Sequence, residues 1–210
     1  YFNQTREKRE TESVIDRDAW LAQVDEKSKI APEAQAVLAV DMPPDRSRVA
    51  IAVAGWRADG GIHLGLVNDT GRDDPEVEGE PYLGSLVNWL AERIVDLLAL
   101  RRERGVPFGG VAIDPSATAG SLIKTLEARG VKVIKMAAQQ HAQACGSFMN
   151  HLEDRTVWHL GQPELGAAAA DAKTRVLSDA WAWDRKSRKG YIAPLVAGTL
   201  ALGALLGLPE

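Results

Sequence analysis

Three short apolar runs follow one another with only turn-forming residues between them: AVLAVD at 36–41, RVAIAVAG at 48–55 and GIHLGLV at 61–67. Pro43-Pro44-Asp45 turns the chain between the first two. Runs of this length and spacing are expected to form an antiparallel meander. The period then changes. Leu83, Leu86, Val87, Leu90, Ile94, Leu97 and Leu98 recur at helical spacing, which predicts an amphipathic helix ending near Gly105. Residues 110–114, GVAID, read as a buried strand, and Ser116 as the cap of a helix running through Leu122, Ile123 and Leu126 to Gly130. Strands are expected at 131–136, 156–160 and 176–183, the last with Trp181 and Trp183 on one face. Helices are expected at 139–152, 163–173 and 194–206, with Pro194 in the first turn of the last. Three antiparallel strands followed by alternating helices and strands predict an α/β fold, a mixed sheet with an antiparallel meander, then parallel strands, flanked by helices.

Composition narrows the chemistry. The net charge is −4, so a generic cationic attraction to nucleic acid or membrane is not expected, and any polyanion site must be local. One cysteine, Cys145, excludes an internal disulfide framework and a cysteine-rich zinc site. The apolar stretch 191–208 has Gly190, Gly198, Gly203 and Gly207 in or beside it and is expected to be a buried helix, not a membrane span. No membrane partner is expected. Residues 1–36 read as an arm: polar at first, then a short helix near Trp20 and Leu21, then Pro32. The chain opens on Tyr1, not Met, and is expected to be a piece of something larger.

Two strands end in aspartate, Asp41 and Asp114. In this layout the first strand and the one after the first helix lie side by side, bringing both carboxylates to one edge of the sheet. Two carboxylates that close repel unless a cation sits between them or one is protonated. A hard divalent ion, Mg²⁺ or Mn²⁺, suits oxygen ligands. Two such ions about 4 Å apart can activate water and stabilise the leaving oxygen in phosphodiester cleavage. The alternative is that each aspartate caps the turn that follows it.

The stretches LAVDMPPDRSRVAIAVAG (38–55), GGVAIDPSATAGSLIKTLEARGVKVI (109–134), AQACGSFMNHLEDRTVWHLGQPELGAAAADAKTR (142–175), DAWAWDRKSRKG (179–190) and YIAPLVAGTLALG (191–203) carry a resemblance through their order and spacing. The chain resembles the C-terminal nuclease domain of the large terminase subunit of tailed double-stranded-DNA phages. The resemblance implies an RNase H-like fold over 37–210. It also implies a two-metal endonuclease, using Mg²⁺ or Mn²⁺, that cuts concatemeric phage DNA during genome packaging. Double-stranded DNA, an upstream ATPase domain, a portal and a small terminase subunit are the implied partners, in the cytoplasm of an infected bacterial host. The chain contains no G-x-x-x-x-G-K-[ST], so the ATPase would lie upstream, with 1–36 as the linker leaving it.

One departure stands out. The family pattern has a third acid just before the last helix, and here Tyr191 stands there, before Ile192-Ala193-Pro194-Leu195-Val196-Ala197. A phenol with pKa near 10 is a poor Mg²⁺ ligand. Asp184 is the first candidate for the missing third metal ligand, with Asp45 and Asp179 behind it. The candidate catalytic and metal-binding set is therefore Asp41, Asp114 and Asp184. Arg185, Lys186, Arg188 and Lys189 form a basic hairpin suited to gripping phosphates without reading sequence, or else a solvated turn. Arg101, Arg102 and Arg104 form a second basic cluster. His141 and Cys145, four apart on one helix, read as a packed face, and His159 as a structural hydrogen-bonding residue. The acidic stretch 69–80 reads as a solvated loop. Two competing functions remain: a DNA-gripping or motor-docking module with weakened cleavage, and an actin-like ATPase, whose phosphate hairpin needs glycines that MPPDRS lacks.

Overall fold

The computed structural model describes residues 13–67, 83–105, 107–177, 180–185, 190–207 and 209. The elements are α1 (Arg17–Leu21), β1 (Ala36–Asp41), β2 (Ala50–Trp56), β3 (Ile62–Leu66), α2 (Leu83–Glu103), β4 (Val111–Ile113), a 3₁₀ turn (Thr118–Leu122), α3 (Ile123–Ala128), β5 (Val133–Lys135), α4 (Ala138–Glu153), β6 (Val157–His159), α5 (Pro163–Ala170), β7 (Thr174–Leu177), β8 (Ala180–Trp183) and α6 (Ala193–Leu206). Six strands form one sheet in the order β5-β4-β1-β2-β3-β6. The β1-β2-β3 meander is antiparallel, while β4 joins β1, β5 joins β4 and β6 joins β3 in parallel. The mixed α/β sheet flanked by helices is the arrangement expected from the sequence.

The central strand explains the two layers. Every residue of β1 is buried, as a strand covered on both faces requires. Val37 and Ala39 join the core under α4, α5 and α6, whereas Leu38 and Val40 join the core under α2, the 3₁₀ turn and α3. The period of two thus assigns each side chain to a face. Helix α6 is apolar all round because it is buried all round, without interruption from Ala193 to Leu202. Among the described residues no helix is long and apolar enough to cross a membrane. Gly203 lets α6 approach α4, since a Cβ there would collide with Ala144.

Three local readings differ from expectation. The single strand expected at 176–183 is two antiparallel strands, β7 and β8, paired Thr174↔Trp183 to Leu177↔Ala180. Val176 is 81% exposed on it, so no core periodicity marked the break. Ser116 does not cap a helix: its hydroxyl and amide both bond Asp114, and the next helix starts as a 3₁₀ turn with no side-chain cap. Residues 13–35 of the expected arm lie against the body. Trp20 stacks on His159 with centroids 3.9 Å apart, the Asp25 amide donates to the His159 carbonyl, and Asp16 caps α1 through the Ala19 amide. Burial of Ile15 and Trp20 drives that docking. The expected acidic loop 69–80, Asp179, Lys186, Arg188 and Lys189 lie outside the described residues.

Candidate active site

The sheet itself brings two acids together. Strands β1 and β4 run parallel with Leu38 opposite Val111 and Ala39 opposite Ala112. The same offset, carried two residues further, sets Asp41 opposite Asp114. Period two then puts both side chains on the face of Ala39 and Ala112, toward α4 and α6. Both aspartates are buried, at the C-terminal ends of neighbouring parallel strands, where α/β sheets commonly place ligands.

A single guanidinium joins them. Arg185 Nη1 donates to Asp114 Oδ2 at 2.9 Å and Nη2 donates to Asp41 Oδ1 at 3.1 Å. The hairpin places it there. Trp183 is fully buried, packs edge-on against Phe148, and donates its indole N–H to Thr199 Oγ1 at 2.9 Å. The Asp184 amide donates to the Lys173 carbonyl at 2.7 Å, so the chain is pinned up to the residue before Arg185. Arg185 had been expected on an exposed basic hairpin. Instead its side chain is 16% exposed and points inward, where it pairs with two buried carboxylates.

The two acids have different surroundings. Asp114 Oδ1 accepts from the Ser116 amide at 2.9 Å and the Ser116 hydroxyl at 2.6 Å, and His141 Nδ1 lies 3.5 Å from Oδ2. Burial works to raise its pKa, but His141, Ser116 and Arg185 together hold it below the usual carboxylate range. Asp41 is pushed up to about 7, chiefly by burial, with Arg185 pulling the other way. Burial also lowers the His141 pKa, against the pull of Asp114. Helix α4 thus supports Asp114 through a residue that the sequence reading had assigned to plain packing. The i, i+4 partner Cys145 is buried as expected.

Tyr191, at the position of the expected third acid, has its hydroxyl buried and, among the described residues, without a hydrogen-bond partner. Its ring lies under the Arg48 guanidinium, 4.5 Å from the ring centroid. Burial pushes the phenol up to about 12, so it is not an anionic ligand. Among the described residues no group of three His, Cys, Asp or Glu side chains could hold a metal. Asp184 is therefore not gathered with Asp41 and Asp114 into a ligand trio in this arrangement. Asp45 is exposed and accepts from the Ser47 amide and hydroxyl at 3.1 and 2.8 Å, as a turn-forming aspartate does. His159 makes a structural contact, with Nε2 3.1 Å from the Trp20 carbonyl oxygen. Of the second basic cluster, Arg101 turns inward, donating to the Ala34 carbonyl and lying over the Phe108 ring.

Asp41 and Asp114 are the residues here that could meet a hard divalent cation. They offer two opposed carboxylates in a buried edge that already selects a positive group, the guanidinium, for the space between them.

No protein-family model matches the chain, and no curated protein matches it. Solved structures do. The large terminase of bacteriophage HK97 superposes with a TM-score of 0.65 at 17% identity, covering 90% of this chain and 43% of that one. The chain therefore spans less than half the length of that protein. The large terminase nuclease of thermophilic phage G20c superposes with a TM-score of 0.58 at 12% identity, covering 90% of this chain and 97% of that one. The same nuclease with bound magnesium superposes at 0.55, again at 12% identity, covering 91% and 96%. The chain has the RNase H-like fold of these terminase nuclease domains.

Proposed function

We propose that this chain is a metal-dependent endonuclease domain of a phage large terminase, cutting double-stranded DNA during genome packaging. The observation that carries the proposal is the meeting of Asp41 and Asp114 across one cation at the ends of parallel neighbours β1 and β4. The magnesium-bound G20c nuclease supports a divalent ion as the working cation. Asp41 and Asp114 would hold Mg²⁺ or Mn²⁺, with Asp184 proposed as a third ligand that joins them only on rearrangement, since the described residues do not gather the three. A bound divalent ion supplies Lewis-acid activation of water and charge stabilisation at the phosphodiester. The protein's own part is electrostatic. Ser116 and His141 keep Asp114 oriented and ionised, and the buried edge strengthens every charge interaction within it. Lys186, Arg188 and Lys189 are proposed to contact DNA phosphates. Residues 1–36 are proposed to connect to an upstream ATPase domain, and the portal and small terminase subunit to be further partners, in the cytoplasm of an infected bacterial host.

The test is plasmid cleavage by the purified chain with Mn²⁺, with Mg²⁺ and with EDTA. Cleavage that needs the metal, and that falls at least 100-fold in both Asp41→Asn and Asp114→Asn, supports the proposal. Wild-type cleavage rates in either variant contradict the shared metal site.

A second reading is favoured by Tyr191, whose buried phenol occupies the place of the family's third acid. On that reading the fold grips DNA or docks the motor, and cleavage is weak or lost. DNA binding by the wild type without cleavage at any Mn²⁺ concentration would select it.

A further inference from the structure

Arg185 bonds both candidate metal ligands, and its position has a consequence for how the site is loaded. We infer that Arg185 is a resident counter-ion that must swing out from between Asp41 and Asp114 before a divalent cation can enter. This rests on the metal reading above and adds the regulation of the same site.

The two positive groups compete for the same oxygens. Nη1 and Nη2 take Asp114 Oδ2 and Asp41 Oδ1 at 2.9 and 3.1 Å. A guanidinium and a divalent ion held there together would repel within a buried pocket, where charges are poorly screened. Arginine cannot relieve this by losing a proton. Only movement relieves it.

The side chain is placed to move. Its Nε is buried and has no hydrogen-bond partner among the described residues, so the grip on the two acids is incomplete. Two anchors of the hairpin precede it: the Trp183 indole bond to Thr199 and the Asp184 amide bond to the Lys173 carbonyl. Arg185 can leave without disturbing either. The entering cation takes over the neutralisation that the guanidinium gave up, so neither end state of the exchange has two bare buried carboxylates. A departing guanidinium at the mouth of the site is also a ready partner for a DNA phosphate, for which its planar fork is suited.

The test measures metal binding, not cleavage. Mn²⁺ is titrated calorimetrically into metal-free wild type, Arg185→Gln and Arg185→Lys at pH 8, with Asp114→Asn as the non-binding control. Arg185→Gln is expected to bind Mn²⁺ at least tenfold tighter than wild type, with Arg185→Lys between. Equal or weaker binding by Arg185→Gln overturns the counter-ion gate and leaves the metal site intact, because the wild type has bound the ion. No binding by any of the proteins overturns both. A second measurement needs only the wild type, in case Arg185→Gln does not fold. The Arg185 Nε–Hε resonance is followed by ¹⁵N NMR while Mg²⁺ is added. It is expected to shift along the same isotherm as metal binding, and an unmoved resonance at saturating Mg²⁺ overturns the gate.

Discussion

Asp41 and Asp114 share one guanidinium yet hold their protons with opposite strength. Burial is the largest single influence on both, but at Asp114 the neighbouring His141 and two bonds from Ser116, with Arg185, together outweigh it, whereas at Asp41 burial prevails over Arg185. The site is thus an asymmetric pair, one acid firmly ionised and one poised near neutrality.

That asymmetry gives a stability profile. The Asp41 pKa is raised to about 7 in the fold, against 3.8 as its ordinary value. Between those values the folded protein binds more protons than the unfolded chain, so stability falls as pH rises through the window. In Asp41→Asn that decline is absent. Urea unfolding of metal-free protein at pH 5 and pH 8 is expected to show Asp41→Asn gaining on wild type as pH rises. A constant difference at the two pH values contradicts the assignment.

Asp114→Asn has the opposite character. It removes the ionised partner of buried Arg185, while the amide oxygen can still accept from Ser116, and is expected to cost about 3–5 kcal/mol at pH 7. The loss is read as a drop in the urea midpoint without a change in slope.

Trp20 ties residues 13–35 to the body through its stack on His159 and its burial. Trp20→Ala is expected to cost about 3–5 kcal/mol. Partial proteolysis of the variant should remove the N-terminal segment first, and equal resistance to that of wild type would show the docking to be dispensable.

Cys145 is fully buried, and burial raises its thiol pKa to about 12. Only the thiolate reacts readily. Folded protein is expected to resist a thiol reagent such as DTNB and to release one equivalent of chromophore in denaturant.

Gly203→Ala tests the packing of α6 on α4, where the added methyl meets Ala144. The expected cost is about 1–3 kcal/mol, read by thermal unfolding.

Much of this was legible in the sequence because it is written in periodicity and chain order. The meander, the parallel β4 and the pairing of Asp41 with Asp114 follow from short apolar runs ending in acids. What the sequence left hidden depended on side-chain direction. Arg185 belongs to a run of basic residues, and nothing in such a run shows that its first member turns inward. His141 beside Asp114 was hidden for a similar reason: helical spacing grouped it with Cys145, and its true neighbour lies on another element. The break between β7 and β8 carried no apolar signal, because β7 is largely exposed.

The most direct measurement is anomalous diffraction at the Mn edge from crystals soaked in Mn²⁺. The account predicts a peak within about 2.0–2.6 Å of oxygens from both Asp41 and Asp114, with the Arg185 guanidinium moved away from the pair. Arg185 still bonded to both carboxylates at saturating Mn²⁺, with no anomalous peak between them, would contradict it.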